Sequence, residues 1–599
     1  MKIPYAKCDF AAIRRSGSFY VDKTPFFPHL ENAGGEHLIF LRPRRFGKST
    51  LISTLENYYD IALADKFDEL FGGLWVHEHP TPEKNKYLVL RFDFSPVASE
   101  GTEADIRKSF AVQVKASIRS FIWRYEKLLP RLATLEATVR SDEEDTAALM
   151  TELFTVVRDA EHQVYLLIDE YDHFGNRLLS DGLIDTYQGI VRSSGFVRSF
   201  YANLKAFTIT STLARMFVTG VSPIMLDDLS SGFNIITHVS QHDALNALAG
   251  FTTADVERAV DLMLRDRPDL AADPRIGDRK ALLETLERYY DGYRFSVYAQ
   301  DKMYNSTLVL YFVGQVLATG RYPRQMLDLN VRTDYGRLYG IARNTSGQET
   351  GTRELLEEIL TNESVTSPLV EQFGTRMLFG RAQIVSLFYY MGMLTFSADA
   401  MTSSDPKLVI PNRVMRELQW SYIAFAMADH EGLQIDLTDV SSALRKMSVD
   451  GEIQPLLDLF HKQVLGRISN RDLIQFDEKT MKLMLFAYLS QTNSFYLMSE
   501  KEVTQGYCDL LLALRGNASA AKYAWIIEAK YVKTDATDKD IEAAVAKGFA
   551  QIERYAADAD LVKMLTLGNH LRAGVLVFVG TKDVRYWAWE TAASSALRS

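Results

Sequence analysis

FLRPRRFGKST, residues 40–50, decides how the rest of the chain is read. The apolar run HLIFL (37–41) leads into it with the form of a buried strand, and LISTL (51–55) after it opens a helix. A strand, a tight loop ending in Gly47-Lys48-Ser49 and a helix make the geometry of a phosphate-binding loop. Backbone N–H groups wrap the phosphate oxygens and the helix N-terminus adds partial positive charge. On this reading Arg45, Phe46, Gly47, Lys48, Ser49 and Thr50 bind the nucleotide. Gly47 lets the backbone approach, Lys48 reaches the β/γ-phosphates and Ser49 puts its hydroxyl on Mg²⁺. Arg42 stands where the GxxxxGK[ST] pattern has its first glycine, and an ordinary strand-to-helix turn with a surface lysine is the plain alternative.

The second half of such a site is VYLLIDEYD, residues 164–172. Five apolar residues followed by Asp169-Glu170 read as a buried parallel strand that delivers two carboxylates at its C-terminal end, where ligands bind in open α/β sheets. Asp169 is placed to hold Mg²⁺ and Glu170 to polarise the attacking water; a strand merely ending in surface acids is the alternative. The strand at 87–95 lies between the two motifs, which suggests the additional-strand class of P-loop NTPase. A further strand at 216–223 offers Thr219 or Ser222 as a γ-phosphate sensor and Arg215 as an arginine finger, each against the plainer reading of a strand and turn.

At 599 residues the chain expects several domains. Its 47% hydrophobic and 24% charged composition is that of a globular protein with ample core, and a net charge of −10 argues against a wholly basic nucleic-acid coat while leaving room for a local basic groove. Two cysteines, Cys8 and Cys508, cannot make a disulfide framework. With no signal-peptide core at the N-terminus, a cytoplasmic location and no membrane partner are expected. The most apolar run, 384–396, is too short to span a bilayer and reads as core. Residues 5–24 give no assignment alone; Pro25 to Asn32 is a short helix with Thr24 as its N-cap. Residues 102–160 are helical in pattern, with the acidic run at 141–145 as a solvated helix start. A helix at 382–391, short strands at 393–396 and 407–411 and a helix from 412 suit a winged helix, which either reads DNA or packs; few basic residues favour packing.

The third chemical centre is near the C-terminal end. Residues 506–514 form a strand carrying Asp509, and 523–531 a strand carrying Glu528 and Lys530, which share a face because strand side chains alternate. Two carboxylates and a lysine in an apolar hairpin are costly unless they serve a site. The carboxylates suit Mg²⁺ (or Mn²⁺) and the lysine can steady developing charge or position water. Cys508 points to the opposite face and reads as core.

These motifs together resemble the AAA-ATPase-like proteins that carry a C-terminal PD-(D/E)xK nuclease-like domain. The resemblance rests on YVDKT (20–24), FLRPRRFGKST (40–50), LLIDEYD (166–172), FVTGVSPIMLDDLSSGFNI (217–235), YYDGYRFS (289–296) and YNSTLVL (304–310), and covers nearly the whole chain. The arginine in place of the first loop glycine is that family's own pattern, whereas Tyr304-Asn305-Ser306 departs from its usual YNP. The resemblance implies that D-x18-E-x-K from Asp509 is the nuclease signature. It also puts Glu478, in the helix at 476–488, in the place of that fold's acidic residue, and Gln551, in the helix at 543–555, in the place of its glutamine. A helix-start acid and a surface polar residue are the respective alternatives.

The expected protein is α/β and multidomain. A P-loop NTPase parallel sheet of the additional-strand class (1–245) is followed by a helical lid (246–365), a winged helix (366–430) and a PD-(D/E)xK restriction-endonuclease-like α/β domain (431–599). Its expected cofactors are ATP and Mg²⁺. Its expected partners are nucleic acid, with DNA ahead of RNA, and further copies of itself in a homo-oligomer. The expected function is ATP binding or hydrolysis that gates Mg²⁺-dependent nucleic-acid cleavage; the alternative is an ATP-controlled switch or scaffold whose C-terminal domain binds without cutting.

Overall fold

The computed structural model describes residues 1–129, 132–141, 144–192, 195–229, 235–273, 276–323, 325–327, 340–341, 355–356, 358–360, 362–371, 373, 379–399, 405–419, 437–467, 481–482, 485, 488–489, 495–498, 510–514, 521–566, 569–580 and 582–589. The chain divides into two compact units, Met1–Arg416 and Glu417–Ser599.

The first unit is organised by five parallel strands: β1 (His37–Leu41), β2 (Leu88–Asp93), β3 (Val164–Asp169), β4 (Leu213–Gly220) and β5 (Thr237–His238), in the order β2-β3-β4-β1-β5. Every residue of β3 is buried, as a strand covered on both faces requires. The strand between β1 and β3 in space is β4; β2, which lies between them in sequence, is at the sheet edge. Phe40 pairs with Thr219, and Val218 with Ile168, so the C-terminal ends of β1, β4 and β3 sit side by side.

Helix α1 (Lys48–Tyr59) starts directly from the loop after β1. Between β2 and β3 lie the helices Glu103–Tyr125, Leu132–Arg140 and Thr146–Asp159. Asp145, from the acidic run, caps the last of these by accepting the N–H groups of Ala147 and Ala148. Near the N-terminus the expected cap is corrected. Thr24 lies inside a short 3₁₀ turn (Thr24–Phe26), its hydroxyl donating to Asp22 and accepting from the Val76 N–H. The α-helix that follows is Phe27–Glu31, because Asp22, two residues upstream, competes successfully for the Thr24 side chain. Helix α2 (His173–Ser180) follows β3.

The helices Thr253–Asp266 and Arg279–Tyr290 and then α3 (Ser306–Thr319) follow the sheet. Strands β6 (Ser364–Thr366), β7 (Thr395–Phe396) and β8 (Lys407–Val409) make a small sheet ordered β6-β8-β7, beside helix α4 (Arg381–Tyr390), whose residues 384–390 are all buried. This segment packs on the DGYRFS motif. Tyr389 donates to the Phe295 carbonyl at 3.0 Å, the Arg294 N–H to Thr395 Oγ1 at 2.7 Å, and Asn412 to the Asp291 carbonyl at 2.8 Å. Gly292 is required there. Its φ is +101° and a Cβ would overlap the Pro411 carbonyl.

The second unit holds a five-stranded sheet, β9 (Phe495–Met498), β10 (Leu510–Leu514), β11 (Tyr523–Val532), β12 (His570–Val579) and β13 (Asp583–Ala588), ordered β13-β12-β11-β10-β9. β11 and β12 are parallel, joined through helix α5 (Asp538–Ala556); the other pairs are antiparallel. Helices Leu437–Val449 and Gln454–Gln463 precede the sheet. Of the helix expected at 476–488, residues 481–482, 485 and 488 are helical; Glu478 lies outside the described residues. Among the described residues no helix is long and apolar enough to cross a membrane.

Candidate functional site

The loop between β1 and α1 is held by its carbonyls. Those of Arg42 and Pro43 accept from Lys48 Nζ at 3.0 and 3.1 Å. The Arg44 carbonyl accepts from Asn305 Nδ2 at 3.4 Å, and the Arg45 carbonyl from Ser306 Oγ and the Thr307 N–H, both at 3.2 Å. The Phe46 carbonyl accepts from the Gly250 N–H at 2.9 Å. Five consecutive carbonyls thus each accept a hydrogen bond. Arg45 (φ +70°) and Gly47 (φ +87°) adopt left-handed backbone, the kind of conformation that turns loop N–H groups into an anion-binding concavity.

Arg42 explains how the loop does without its first glycine. It is 1% exposed, and its guanidinium donates to the carbonyls of Leu41, Ser240 and Leu245 at 2.9, 2.6 and 3.0 Å. It is stacked between the Phe40 and Phe295 rings, 4.2 and 4.1 Å from their centroids. Burial pushes its pKa down to about 9. Arg42 is therefore a brace behind the loop. Phe46 also packs edge-on against Tyr293 and Phe295, at 4.9 and 5.2 Å, so the RPRRFGKS and DGYRF motifs meet in space.

Asp169 is 2% exposed and Glu170 follows it with φ +53°, a strained backbone for a non-glycine residue. Asp169 accepts a hydrogen bond from Ser49, and Arg91 is 3.7 Å away; its Oδ1 is buried with no partner. Burial, then the neighbouring Glu170, push the Asp169 carboxyl up to about 6. Burial acts the same way on Glu170, but His173, Lys48 and Arg44 outweigh it and hold that carboxyl down to about 2. Two adjacent carboxylates are driven apart, which separates their chemical roles. An orphaned carboxylate oxygen beside a serine hydroxyl is a hard oxygen donor set that fits Mg²⁺.

Of the two candidate sensors, Ser222 is committed. Its hydroxyl is 3.2 Å from Asp172 Oδ2 and 3.0 Å from Asn176 Oδ1. Thr219 is fully buried and its hydroxyl has no hydrogen-bond partner. By the strand register it shares a sheet face with Asp169, so two unpartnered buried oxygens stand at the ends of adjacent strands. Arg215 lies at the other end of β4, engaged with Tyr87, the Glu31 carbonyl and Glu83, and gives its own site no finger.

A cavity of about 510 Å³ opens at the loop and Glu170. Gly47, Lys48, Ser49, Thr50, Glu170 and His173 line it, together with the apolar side chains of Phe19, Leu248, Phe251 and Leu310 and the rings of Tyr5 and Tyr20. Residues 5–24, unassigned from sequence, are therefore one wall. Tyr20 reaches Thr54 of α1 at 3.3 Å and Lys23 donates to the Ala247 carbonyl at 3.0 Å. Asn305 and Ser306, which hold the loop, were also missed as site residues; the local signal was a capping asparagine opening an apolar helix.

In the second unit Glu528 is fully buried and Lys530, on the same strand face, lies 2.7 Å from its Oε1. Glu528 pairs in register with Val575 of β12, and α5 comes so close there that a Cβ on Gly548 would overlap the Val575 side chain. Gln551 follows on the same helix, part-buried, three residues on. β10 begins at Leu510, opposite Ile527; Asp509, like Cys508, lies outside the described residues. Among the described residues no group of three or more His, Cys, Asp or Glu side chains is arranged to hold a metal.

Residues 4–230 match the family model described as predicted AAA-ATPase, and residues 476–588 that of the PD-(D/E)XK nuclease superfamily, so the resemblance read from the motifs is shown at both ends of the chain. An uncharacterized protein in the vnfD 5′ region of Azotobacter chroococcum mcd 1 is 26% identical over 423 residues, 68% of this chain. The match spans 66% of that relative's length. No solved structure matches.

Proposed function

We propose that the N-terminal unit binds and hydrolyses ATP with Mg²⁺, and that its nucleotide state gates a C-terminal nuclease-like domain acting on nucleic acid, DNA ahead of RNA. The observation that carries the first half is the loop whose five carbonyls each accept a hydrogen bond, at a 510 Å³ cavity and beside an unpartnered buried Asp169 oxygen. Arg45, Phe46, Gly47 and Thr50 cradle the phosphates, Lys48 moves from the loop carbonyls to the β/γ-phosphates, and Ser49 and Asp169 would hold Mg²⁺. A divalent cation there supplies charge neutralisation on the phosphates. Glu170 orients the attacking water and Thr219 meets the γ-phosphate.

The order β2-β3-β4-β1-β5 supports the additional-strand class. We take 1–245 as the NTPase core, 246–365 as the lid, 366–430 as a winged helix that packs rather than reads DNA, and 431–599 as the nuclease-like domain. The contacts of 389–412 with the DGYRFS motif support the packing role. In the nuclease-like domain Asp509 and Glu528 would hold the metal, Lys530 would steady charge, and Glu478 and Gln551 would complete the site. A homo-oligomer would supply from a neighbour the finger that Arg215 does not give.

A second reading has its own support. Glu528 is fully buried and already paired with Lys530, as suits a domain that binds nucleic acid or protein without cutting. The experiment is cleavage of a DNA and RNA panel with Mg²⁺ or Mn²⁺, with and without ATP, for the wild type, Lys48→Ala and Glu528→Ala. Metal-dependent cutting lost in Glu528→Ala supports the nuclease, and the Lys48→Ala lane reports gating. Cutting that persists in Glu528→Ala rejects the site. No cutting while ATP still binds selects the switch.

A further inference from the structure

Resting on the nucleotide reading above, we propose that His173 is the positioning residue that converts Glu170 from a clamped carboxylate into a water-orienting one. The two oxygens of Glu170 face different partners: Oε1 lies 4.0 Å from Lys48 Nζ, and Oε2 lies 3.7 Å from His173 Nδ1. Both Glu170 and His173 line the cavity. Arg44, from the loop, adds positive charge to the same carboxylate.

The backbone that carries these side chains is fixed on all sides. The Asp169 carbonyl accepts from the Phe94 N–H at 3.2 Å, and the Tyr171 N–H donates to the Thr219 carbonyl at 3.1 Å. The His173 N–H donates to the Glu170 carbonyl at 3.1 Å. Asp172 accepts from the N–H groups of Val221 and Ser222, and from Asn176 one turn into α2. With β3, β4 and α2 locked together, only the Glu170 side chain is left to respond, and it responds to its two partners.

Those partners are unequal when a nucleotide enters. Lys48 is shared between Glu170 and the Arg42 and Pro43 carbonyls, and a phosphate competes with all three for it. His173 is anchored at the start of α2 and stays. Once Lys48 leaves, the Glu170 side chain turns towards His173, which brings Oε2 from 3.7 Å to hydrogen-bonding distance of Nδ1 and fixes the carboxylate. The vacated Oε1 is left facing the cavity to accept a hydrogen bond from water. Contacts of this kind are often long before substrate arrives and tighten in the complex.

The test uses the full chain with Mg²⁺, measuring steady-state ATP hydrolysis and ADP binding for the wild type, Glu170→Gln, His173→Ala, His173→Asn and the Glu170→Gln/His173→Ala double variant. The asparagine Nδ2 can stand where the histidine Nδ1 does. His173→Ala is expected to lower kcat about 10- to 100-fold with KM and ADP affinity little changed, as a misplaced group costs. His173→Asn should recover most of the loss, and the double variant should be no worse than Glu170→Gln. Wild-type kcat in His173→Ala while Glu170→Gln is inactive overturns the role and leaves the nucleotide reading standing. Loss of ADP binding in His173→Ala, or no recovery by asparagine, marks a structural residue and also overturns it. A wild type that binds ATP without hydrolysing it overturns both.

Discussion

In the N-terminal unit Asp169 is buried with one carboxylate oxygen unpartnered, whereas in the C-terminal unit Glu528 is buried against a lysine 2.7 Å away. A buried polar atom without a protein partner carries a desolvation cost that a cation, a ligand or a bound water can offset. A buried ion pair has already satisfied itself, and a ligand must compete with the lysine for the carboxylate. The first centre is open towards its ligand and braced around it by Arg42, Asn305, Ser306 and Gly250. In the second, among the described residues, Glu528 is already held by Lys530. The two carboxylates, each read from a strand in the sequence, therefore stand in different states.

The sharpest way to break this contrast is to remove Lys530. Lys530→Ala leaves a fully buried carboxylate without its cation and should cost about 3–5 kcal/mol in urea unfolding of the C-terminal unit, as for other broken buried pairs. A loss below about 1 kcal/mol would mean the pair is not closed in solution. On the open side, Arg42→Leu removes a donor from three buried carbonyls, of which that of Leu245 keeps the Leu248 N–H; with about 1–3 kcal/mol for each of the other two, a loss of about 2–6 kcal/mol is expected from the same measurement on the N-terminal unit. Because Arg42 does not face the phosphates, any nucleotide affinity lost should follow the loss of stability.

A smaller effect separates Asp169 from Glu170. A protonated carboxyl cannot ligate a cation, and burial has raised Asp169 to about 6. The gain in ATP affinity that Mg²⁺ brings should therefore be present above pH 6 and fall about tenfold per unit below it. Metal-free binding at the same pH values is the reference for changes that come from the nucleotide's own phosphates, since Asp169 then has no cation to hold. Titration calorimetry at pH 7, 6 and 5 with and without Mg²⁺ reads both; a flat Mg²⁺ gain would place the cation elsewhere. The smallest effect belongs to Ser306. Its hydroxyl is one of two donors to the Arg45 carbonyl, so Ser306→Ala should weaken ATP binding by about 0.5–1.5 kcal/mol, with the Thr307 N–H still in place.

The elements that announced themselves in the sequence were those whose chemistry is local. The buried strands β1 and β3 are apolar runs, the Gly47-Lys48-Ser49 turn is contiguous, and Glu528 and Lys530 share a face of β11 through strand alternation alone. What stayed hidden depends on residues distant in sequence. Arg42 looks like a defective loop glycine until Phe295 and the Ser240 and Leu245 carbonyls are brought around it. Residues 5–24 hold one short motif, YVDKT, whose place is not legible until α1 and Phe251 give it a cavity to wall. Ser222 and Thr219 are equivalent in sequence, and only the fold reveals that Asp172 and Asn176 occupy one of them and leave the other unpartnered. Thr24 has the residue type and position of a cap, but its hydroxyl donates to Asp22, two residues upstream.

The most direct test of the open site is equilibrium binding of ATP with Mg²⁺ to the full chain, comparing the wild type with Lys48→Ala. Lys48 both ties the loop, through the Arg42 and Pro43 carbonyls, and is expected to hold the phosphates. Binding by the wild type that weakens about 100-fold or more in the variant, roughly 2.7 kcal/mol, is the predicted result. Equal affinity in the two proteins, or no binding by either, would contradict the account.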